Sequence, residues 1–97
     1  MIRSFADAAT ECVFYAEDTK AARRLPKPLR PVIRRKLDYL HAARSLSDVR
    51  QPPANRLEAL AGAQRGRHSI RVNDQFRVTF LLAGGDAWEV RCEDYHR

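Results

Sequence analysis

Apolar positions change period once along the chain, near residue 56. Before it they recur at three- and four-residue intervals, and after it they alternate. Residues 2–5, with Ile2 and Phe5, are compatible with a short first strand. Asp7 stands where an N-cap would, ahead of Ala9, Cys12, Val13 and Ala16 at helical spacing. Leu25, Pro26, Lys27 and Pro28 break that pattern. Proline is tolerated in the first turn of a helix, where its missing N–H would have no intrahelical partner, so a second helix begins at Pro28 or Leu29. From there Leu29, Val32, Ile33, Lys36, Leu37, Leu40 and Ala43 form one stripe, with Arg30, Arg34 and Arg35 on the other face. Residues 45–55 contain Pro52-Pro53 and read as a surface connection.

In the second half, Leu57 and Ala59 suggest a strand that ends at Gly62. Residues 67–72 put His68, Ile70 and Val72 on one side and Arg67, Ser69 and Arg71 on the other. Asn73-Asp74-Gln75 supplies turn chemistry. Residues 76–82 then alternate again, Phe76, Val78, Phe80 and Leu82 against Arg77, Thr79 and Leu81. Gly84-Gly85-Asp86 marks a hairpin, after which Trp88, Val90 and Cys92 oppose Glu89, Arg91, Glu93 and Tyr95. The pattern predicts one α+β domain over residues 1–97: two N-terminal helices packed on a mostly antiparallel, twisted sheet of four to five strands. Ile70, Val72, Phe76, Val78, Phe80, Trp88 and Val90 are the expected helix-covered face. The opposite, solvent face is expected to collect Arg67, Arg71, Arg77 and Arg91 with few acids, plus Thr79 and Tyr95.

Charge sharpens this picture. The 97 residues carry 18 Lys and Arg against 12 Asp and Glu, a net +6, and all the cations except Lys20, Lys27 and Lys36 are arginines. Residues 1–22 have a balance of −2, so the excess lies beyond the first helix. Arginine presents a rigid donor fork suited to phosphate, although a base-composition bias in the genome also enriches it. Nucleic acid is the leading partner class for a small basic domain, with an anionic membrane surface second. The run Arg23, Arg24, Lys27, Arg30, Arg34, Arg35 and Lys36 contains no acid, and reads either as a solvated helix face or as a docking surface for phosphates or an acidic partner. No apolar run approaches the roughly 18 residues of a membrane span. The start of the chain lacks the pattern of a secretory signal, so a cytoplasmic address is expected.

Chemistry concentrates at the C-terminus, where Glu93, Asp94, Tyr95, His96 and Arg97 follow one another. His96 has the side-chain type best suited to proton transfer near neutrality, and Asp94 is placed to orient it or act as a base. Cys12 and Cys92 have no metal-ligand spacing and read as buried or half-buried thiols. His41, His68 and His96 likewise show no ligand spacing, so neither a metal nor a cofactor is expected.

The segments Asn55-Arg56-Leu57-Glu58-Ala59-Leu60, Ser69-Ile70-Arg71-Val72-Asn73-Asp74-Gln75-Phe76-Arg77, and Gly85-Asp86-Ala87 running on to Glu93-Asp94-Tyr95-His96 resemble the HigB toxins of the RelE superfamily. The resemblance covers almost the whole chain. It implies the RelE-like α+β fold and an endoribonuclease that enters the ribosomal A site and cuts mRNA there. It also implies neutralisation by a HigA-type antitoxin with a helix-turn-helix domain, through which alone the pair would contact operator DNA. By the same resemblance Arg77, Asp94, Tyr95 and His96 would be active-site residues, with Arg71 among the RNA-binding arginines; Arg67 and Arg91 join these from their face of the sheet. Relatives often carry lysine before the glycine that follows this motif, and Asp-Arg after it. This chain has Ala61, Ala63 and Gln64 there, and Arg65 or Arg67 is the nearest replacement cation. That departure keeps two further readings in view: a catalytically weak relative acting by antitoxin or ribosome binding, and a basic RNA- or DNA-binding module.

Overall fold

Helix α1 (Ala8–Phe14) starts where the Asp7 carboxylate accepts the Thr10 amide at 2.9 Å, and it ends two residues before Ala16, whose φ of 58° turns the chain away. The computed structural model describes residues 1–94. Lys27–Leu29 forms a 3-10 turn that runs directly into α2 (Arg30–Ala42), with Pro31 in the first turn. Ile33, Lys36, Leu37 and Leu40 make up the buried side of α2, as the stripe predicts.

The connection after α2 runs over the surface as expected, with most of residues 45–55 exposed, but it is pinned at two buried points. Ser45 caps a one-turn helix, α3 (Leu46–Val49), and both Val49 and Asn55 are fully buried. A buried amide must satisfy its hydrogen-bonding groups. Asn55 does so by donating to the carbonyls of Val49 (3.1 Å) and Gln51 (3.2 Å) and accepting from Lys36 Nζ at 2.7 Å. That contact explains a lysine within an apolar helix stripe: its stem packs with the core while its ammonium reaches a loop acceptor.

The sheet comprises β1 (Glu58–Ala59), β2 (His68–Arg71), β3 (Phe76–Ala83) and β4 (Asp86–Asp94), in that spatial order and antiparallel throughout. Residues 2–5 do not add a fifth strand. They make two isolated parallel bridges to β4, Ile2 with Ala87 and Phe5 with Val90. The reason lies between those bridges, where the β3–β4 register shifts and Glu89 takes a left-handed φ of 51°. A bulge breaks continuous pairing on the neighbouring edge, and the Glu89 amide turns to Ser4 Oγ at 2.8 Å.

The same bulge corrects the expectation for Trp88. Alternation counted back from Cys92 puts Trp88 in the core, but the extra residue reverses the parity beyond it. Trp88 is therefore 41% exposed opposite Leu81, and Ala87 takes the core position at 1%. The Trp88 indole donates to the Ala83 carbonyl at 3.3 Å. Otherwise the core holds the expected strand residues, Ile70, Val78, Phe80 and Val90 among them, against Val13, Leu25, Ile33, Leu37 and Leu40 of the helical half. Each such side chain fully buried stabilises the fold by ~1.5–3 kcal/mol before entropy is counted. Cys92 lies within this core, where burial pushes its thiol up to about 12, and Cys12 is half-buried.

Polar contacts fix α1 onto β4. Thr10 Oγ1 accepts the Cys92 amide at 2.9 Å. Asp7 Oδ2 pairs with Arg24 at 2.5 Å and with Arg91 at 3.2 Å, while Arg24 also donates to the Cys92 carbonyl at 2.8 Å. Partial burial alone would raise the Asp7 pKa, but the two Thr10 hydrogen bonds, Arg24 and Arg91 outweigh it and hold the carboxyl below its ordinary value. A carboxyl depressed in the folded state contributes stability above its unfolded pKa of about 3.9 and loses it as pH falls through the folded value.

Replacing Asp7 with Ala removes the cap and both ion pairs and is expected to cost about 1–2 kcal/mol at pH 7; Asp7→Asn, which keeps the cap, costs about half as much. Denaturant unfolding across pH is the check: the gap between wild type and Asp7→Asn closes as pH falls below the ordinary Asp value of about 3.9 and through the lowered folded value. A second expectation concerns the bulge. Glu89→Gly removes the left-handed penalty and raises stability by about 0.5–1 kcal/mol in the same assay, less any contribution from the loosely held Arg67 pair.

Candidate nucleic-acid interface

Strand alternation brings Ser69, Arg71, Arg77, Thr79, Arg91 and Glu93 to the face of the sheet away from the helices. Register then sets their neighbours: Glu58, Ser69, Thr79 and Arg91 form one cross-strand row, and Arg71, Arg77 and Glu93 the next. This face differs from the open, solvated surface expected. Ser69 and Thr79 are fully buried and Arg77 is only 8% exposed. Two features cover them. Arg67 lies across the sheet, donating to Thr79 Oγ1 (3.0 Å) and the Glu89 carbonyl (2.7 Å). The loop that leads into β1 lies over Arg77.

Arg77 is held from several directions. Its Nε donates to Ser69 Oγ at 2.7 Å, and its Nη2 donates to the Arg56 carbonyl at 2.6 Å. Glu58 Oε1 stands 3.8 Å from the same nitrogen. Arg56 adopts a left-handed φ of 46° and ψ of 60° as the residue closing the Pro53–Asn55 turn. Above this guanidinium opens a polar cavity of about 250 Å³ lined by Arg56, Glu58, Arg71, Asn73, Asp74 and Arg77.

The face is not poor in acids either. Each of its arginines has a carboxylate within 4 Å: Glu58 for Arg77, Asp74 for Arg71, Glu89 for Arg67 at 3.9 Å, and both Asp7 and Glu93 for Arg91. Thr79 Oγ1 also donates to Glu93 at 2.5 Å. The acids at Glu58, Asp74 and Glu89 are more than half exposed. Exposed pairs are worth about 0–1 kcal/mol, so these carboxylates are exchangeable partners. Lys36, bonded to Asn55 next to Arg56, adds a further cation. Burial first, then the nearby charges of Arg35 and Arg71, push its ammonium below the ordinary lysine value.

Of the sequence-predicted residues, Arg71 and Arg77 meet at this cavity, whereas Arg67 and Arg91 lie farther along the face. Arg65 closes the Gly62–Gln64 turn through its amide, is exposed, and its side chain makes no hydrogen bond or ion pair among the described residues. Asp94 ends β4 opposite Phe76, exposed, with Gln75 Nε2 donating to its Oδ2 at 3.0 Å. Tyr95 and His96 lie outside the described residues. Sequence reasoning passed over Ser69, Glu58, Glu93 and the Asn55-Arg56 pair as site residues. Alternation did put Ser69 and Glu93 on the arginine face; nothing local to the sequence puts Asn55 beneath Arg56 or the Arg56 carbonyl on Arg77. Among the described residues no three His, Cys, Asp or Glu side chains converge as metal ligands would. No helix there is long and apolar enough to cross a membrane.

Comparison with known proteins places this geometry. Residues 3–96 match the family model described as the RelE-like toxin of the type II toxin–antitoxin system HigB. Toxin HigB-1 of Vibrio cholerae serotype O1 is 46% identical over 74 residues, 76% of this chain and 77% of that protein. An uncharacterised protein of Haemophilus influenzae is 42% identical over 57 residues, 59% of this chain and 56% of its own. In fold, the chain resembles the crystal structure of a YafQ mutant from E. coli (TM-score 0.57, 14% identity, 98% of this chain and 94% of that one). It also resembles a chain of the YoeB–YefM complex from Staphylococcus aureus (TM-score 0.54, 15% identity, 100% and 99% covered). With the family model spanning nearly every residue, the chain belongs to the HigB-like toxins of the RelE superfamily, the toxin halves of type II toxin–antitoxin systems.

Proposed function

We propose that this toxin is a ribosome-dependent endoribonuclease that cleaves mRNA in the ribosomal A site. The observation that carries the reading is Arg77, a guanidinium fixed by Ser69 and the Arg56 carbonyl at the base of a polar cavity that Arg56 and Arg71 also line. RNA brings its own nucleophile, the 2′-OH beside the scissile phosphate, so the reaction is metal-independent. The protein must align that hydroxyl for in-line attack, take its proton, stabilise the charge on the phosphorane and protonate the leaving 5′-oxygen. Arg77, with Arg71, steadies the phosphorane. Asp94 and His96 handle the protons, and Tyr95 stacks on or positions a base. Arg65, Arg67 and Arg91 extend the phosphate-contacting surface.

The physiological partner is a HigA-type antitoxin with a helix-turn-helix domain, and operator DNA is contacted only through it. The protein acts in the cytoplasm, where ribosomes and mRNA are. One observation favours a second reading, a weak catalyst that acts by binding ribosomes or antitoxin: Ala61 stands where relatives carry lysine, Arg67 is tied to Thr79 and Glu89, and Arg65 is the nearby cation left in solvent.

Induced expression with mapping of mRNA ends separates the two readings. Cleavage at codon-related positions that drops by at least about 100-fold in Arg77→Ala and His96→Ala is the expected result. Growth arrest that survives both substitutions with uncut mRNA supports the binding role instead. The exchangeable acids make a further expectation. Glu58→Gln and Asp74→Asn, which remove the competitors of an incoming phosphate, tighten RNA binding about two- to fivefold each at low salt, and the gain fades as salt is added; titration of a labelled RNA oligonucleotide reads this directly.

A further inference from the structure

A guanidinium that stabilises a transferring phosphoryl group works only if its donor plane is fixed before the substrate arrives. An arginine side chain in solvent has four rotatable bonds and satisfies no such condition. Arg77 satisfies it through contacts from two separate segments, strand β2 and the loop before β1. Ser69, its neighbour from β2 and fully buried, accepts from Nε at 2.7 Å, and the Ser69 carbonyl lies 3.4 Å from Nη2. The Arg56 carbonyl accepts from Nη2 at 2.6 Å. Nε and Nη2 share one edge of the guanidinium, so acceptors on both set its rotation as well as its position.

The Arg56 carbonyl can point at Arg77 because the backbone there is left-handed, a conformation that costs a residue with a Cβ roughly 1 kcal/mol. Strain of that kind persists where surrounding contacts over-determine the backbone. Here the contacts belong to the preceding residue. Asn55 uses its carbonyl oxygen for Lys36 Nζ at 2.7 Å and its amide nitrogen for the Val49 and Gln51 carbonyls. Its own backbone amide bonds to the Pro52 carbonyl at 3.0 Å, and that of Arg56 to the Pro53 carbonyl at 3.1 Å. Lys36, only 6% exposed on α2, is thus the fixed post to which this loop is pegged.

We propose that Ser69 and the Lys36–Asn55 peg are positioning residues for Arg77: Ser69 holds Nε directly, and the peg holds the left-handed Arg56 carbonyl that receives Nη2. The inference rests on the reading of Arg77 as the phosphate-stabilising group, and it assigns the preorganisation of that group to residues that touch no substrate. Ser69 sets the plane. Lys36 and Asn55 set the loop. The exposed Glu58 carboxylate, at 3.8 Å, is the exchangeable contact and not part of the anchor.

The test combines a double-mutant cycle with a spectroscopic signature of the arginine itself. Single-turnover mRNA cleavage on programmed ribosomes is measured for wild type, Ser69→Ala, Ser69→Thr, Arg77→Ala and the Ser69→Ala/Arg77→Ala pair, with ribosome affinity measured separately. Ser69→Ala is expected to slow cleavage about tenfold, the loss of one hydrogen bond to a charged group, with affinity unchanged within about twofold. Ser69→Thr, which keeps the hydroxyl, recovers most of the rate. In the Arg77→Ala background the Ser69→Ala change has no further effect, because there is no guanidinium left to position. An equal loss in both backgrounds, or a loss confined to affinity, overturns the proposal in favour of a general structural role. The second arm needs no activity. In nitrogen-15 spectra the Arg77 Nε–H of the folded wild type is expected to be resolved and slow to exchange, to exchange at least about tenfold faster in Ser69→Ala, and to do so in Lys36→Met as the peg is released. An Arg77 Nε–H that exchanges as fast as those of exposed arginines in the wild type refutes the anchoring whatever the enzyme does. If that signal is protected and sensitive to Ser69 but wild-type protein leaves mRNA uncut, the anchoring stands, and it is the nuclease reading that fails.

Discussion

The contact on which the rest of the architecture depends is the three-way grip of Asp7. Its carboxylate caps α1, pairs with Arg24 from the turn between the helices and pairs with Arg91 on β4, so one side chain ties three segments distant in sequence. Arg24 and Thr10 then close on the two backbone groups of Cys92, which α1 would otherwise bury without partners. This is what allows a seven-residue helix, too short to be stable alone, to form one wall of the core. With α1 seated on β4, α2 lies against the same face of the sheet, and the opposite face is left to the arginines.

Burying arginine stems on that second face creates an electrostatic problem, since a guanidinium withdrawn from water needs several acceptors. The chain solves it in two ways that separate by exposure. The most buried donors go to groups that do not move: the Ser69 hydroxyl, the Thr79 hydroxyl, and the carbonyls of Arg56 and Glu89. The remaining charge is balanced by flexible carboxylates at the surface, Glu58, Asp74 and Glu89. On a surface built this way the arginines are already balanced by nearby acids. Net charge alone overstates its potential.

Much of the architecture was legible because it follows local periodicity. The stripe of α2, the cap at Asp7, the strands β2, β3 and β4 and, outside the bulge, the residues that share each of their faces appear from spacing. The misreadings have a common cause. Uninterrupted alternation places Trp88 in the core, but a bulge at Glu89, a residue with no special propensity for left-handed backbone, reverses the count. Residues 45–55 form the surface connection that Pro52-Pro53 suggests, but no local pattern shows that Asn55 within it is buried, held by a lysine nineteen positions earlier in the chain. The pair Ile2 and Phe5 has strand composition, but the strand it would join is interrupted where they meet it.

For the site the division is similar. Composition and alternation by themselves determined that Arg71, Arg77 and Arg91 share one face with Ser69 and Glu93, because the two-residue period is a property of the extended backbone. Only the tertiary structure decided that this face is half covered, that Arg77 lies at the bottom of a cavity while Arg65 stands in solvent, and that every arginine on the face already has an acid beside it. Those outcomes depend on where long side chains and loops from other elements come to rest. Apart from the local pairs Arg71–Asp74 and Arg91–Glu93, such contacts join residues twelve to more than eighty positions apart, and no local pattern in the chain encodes them.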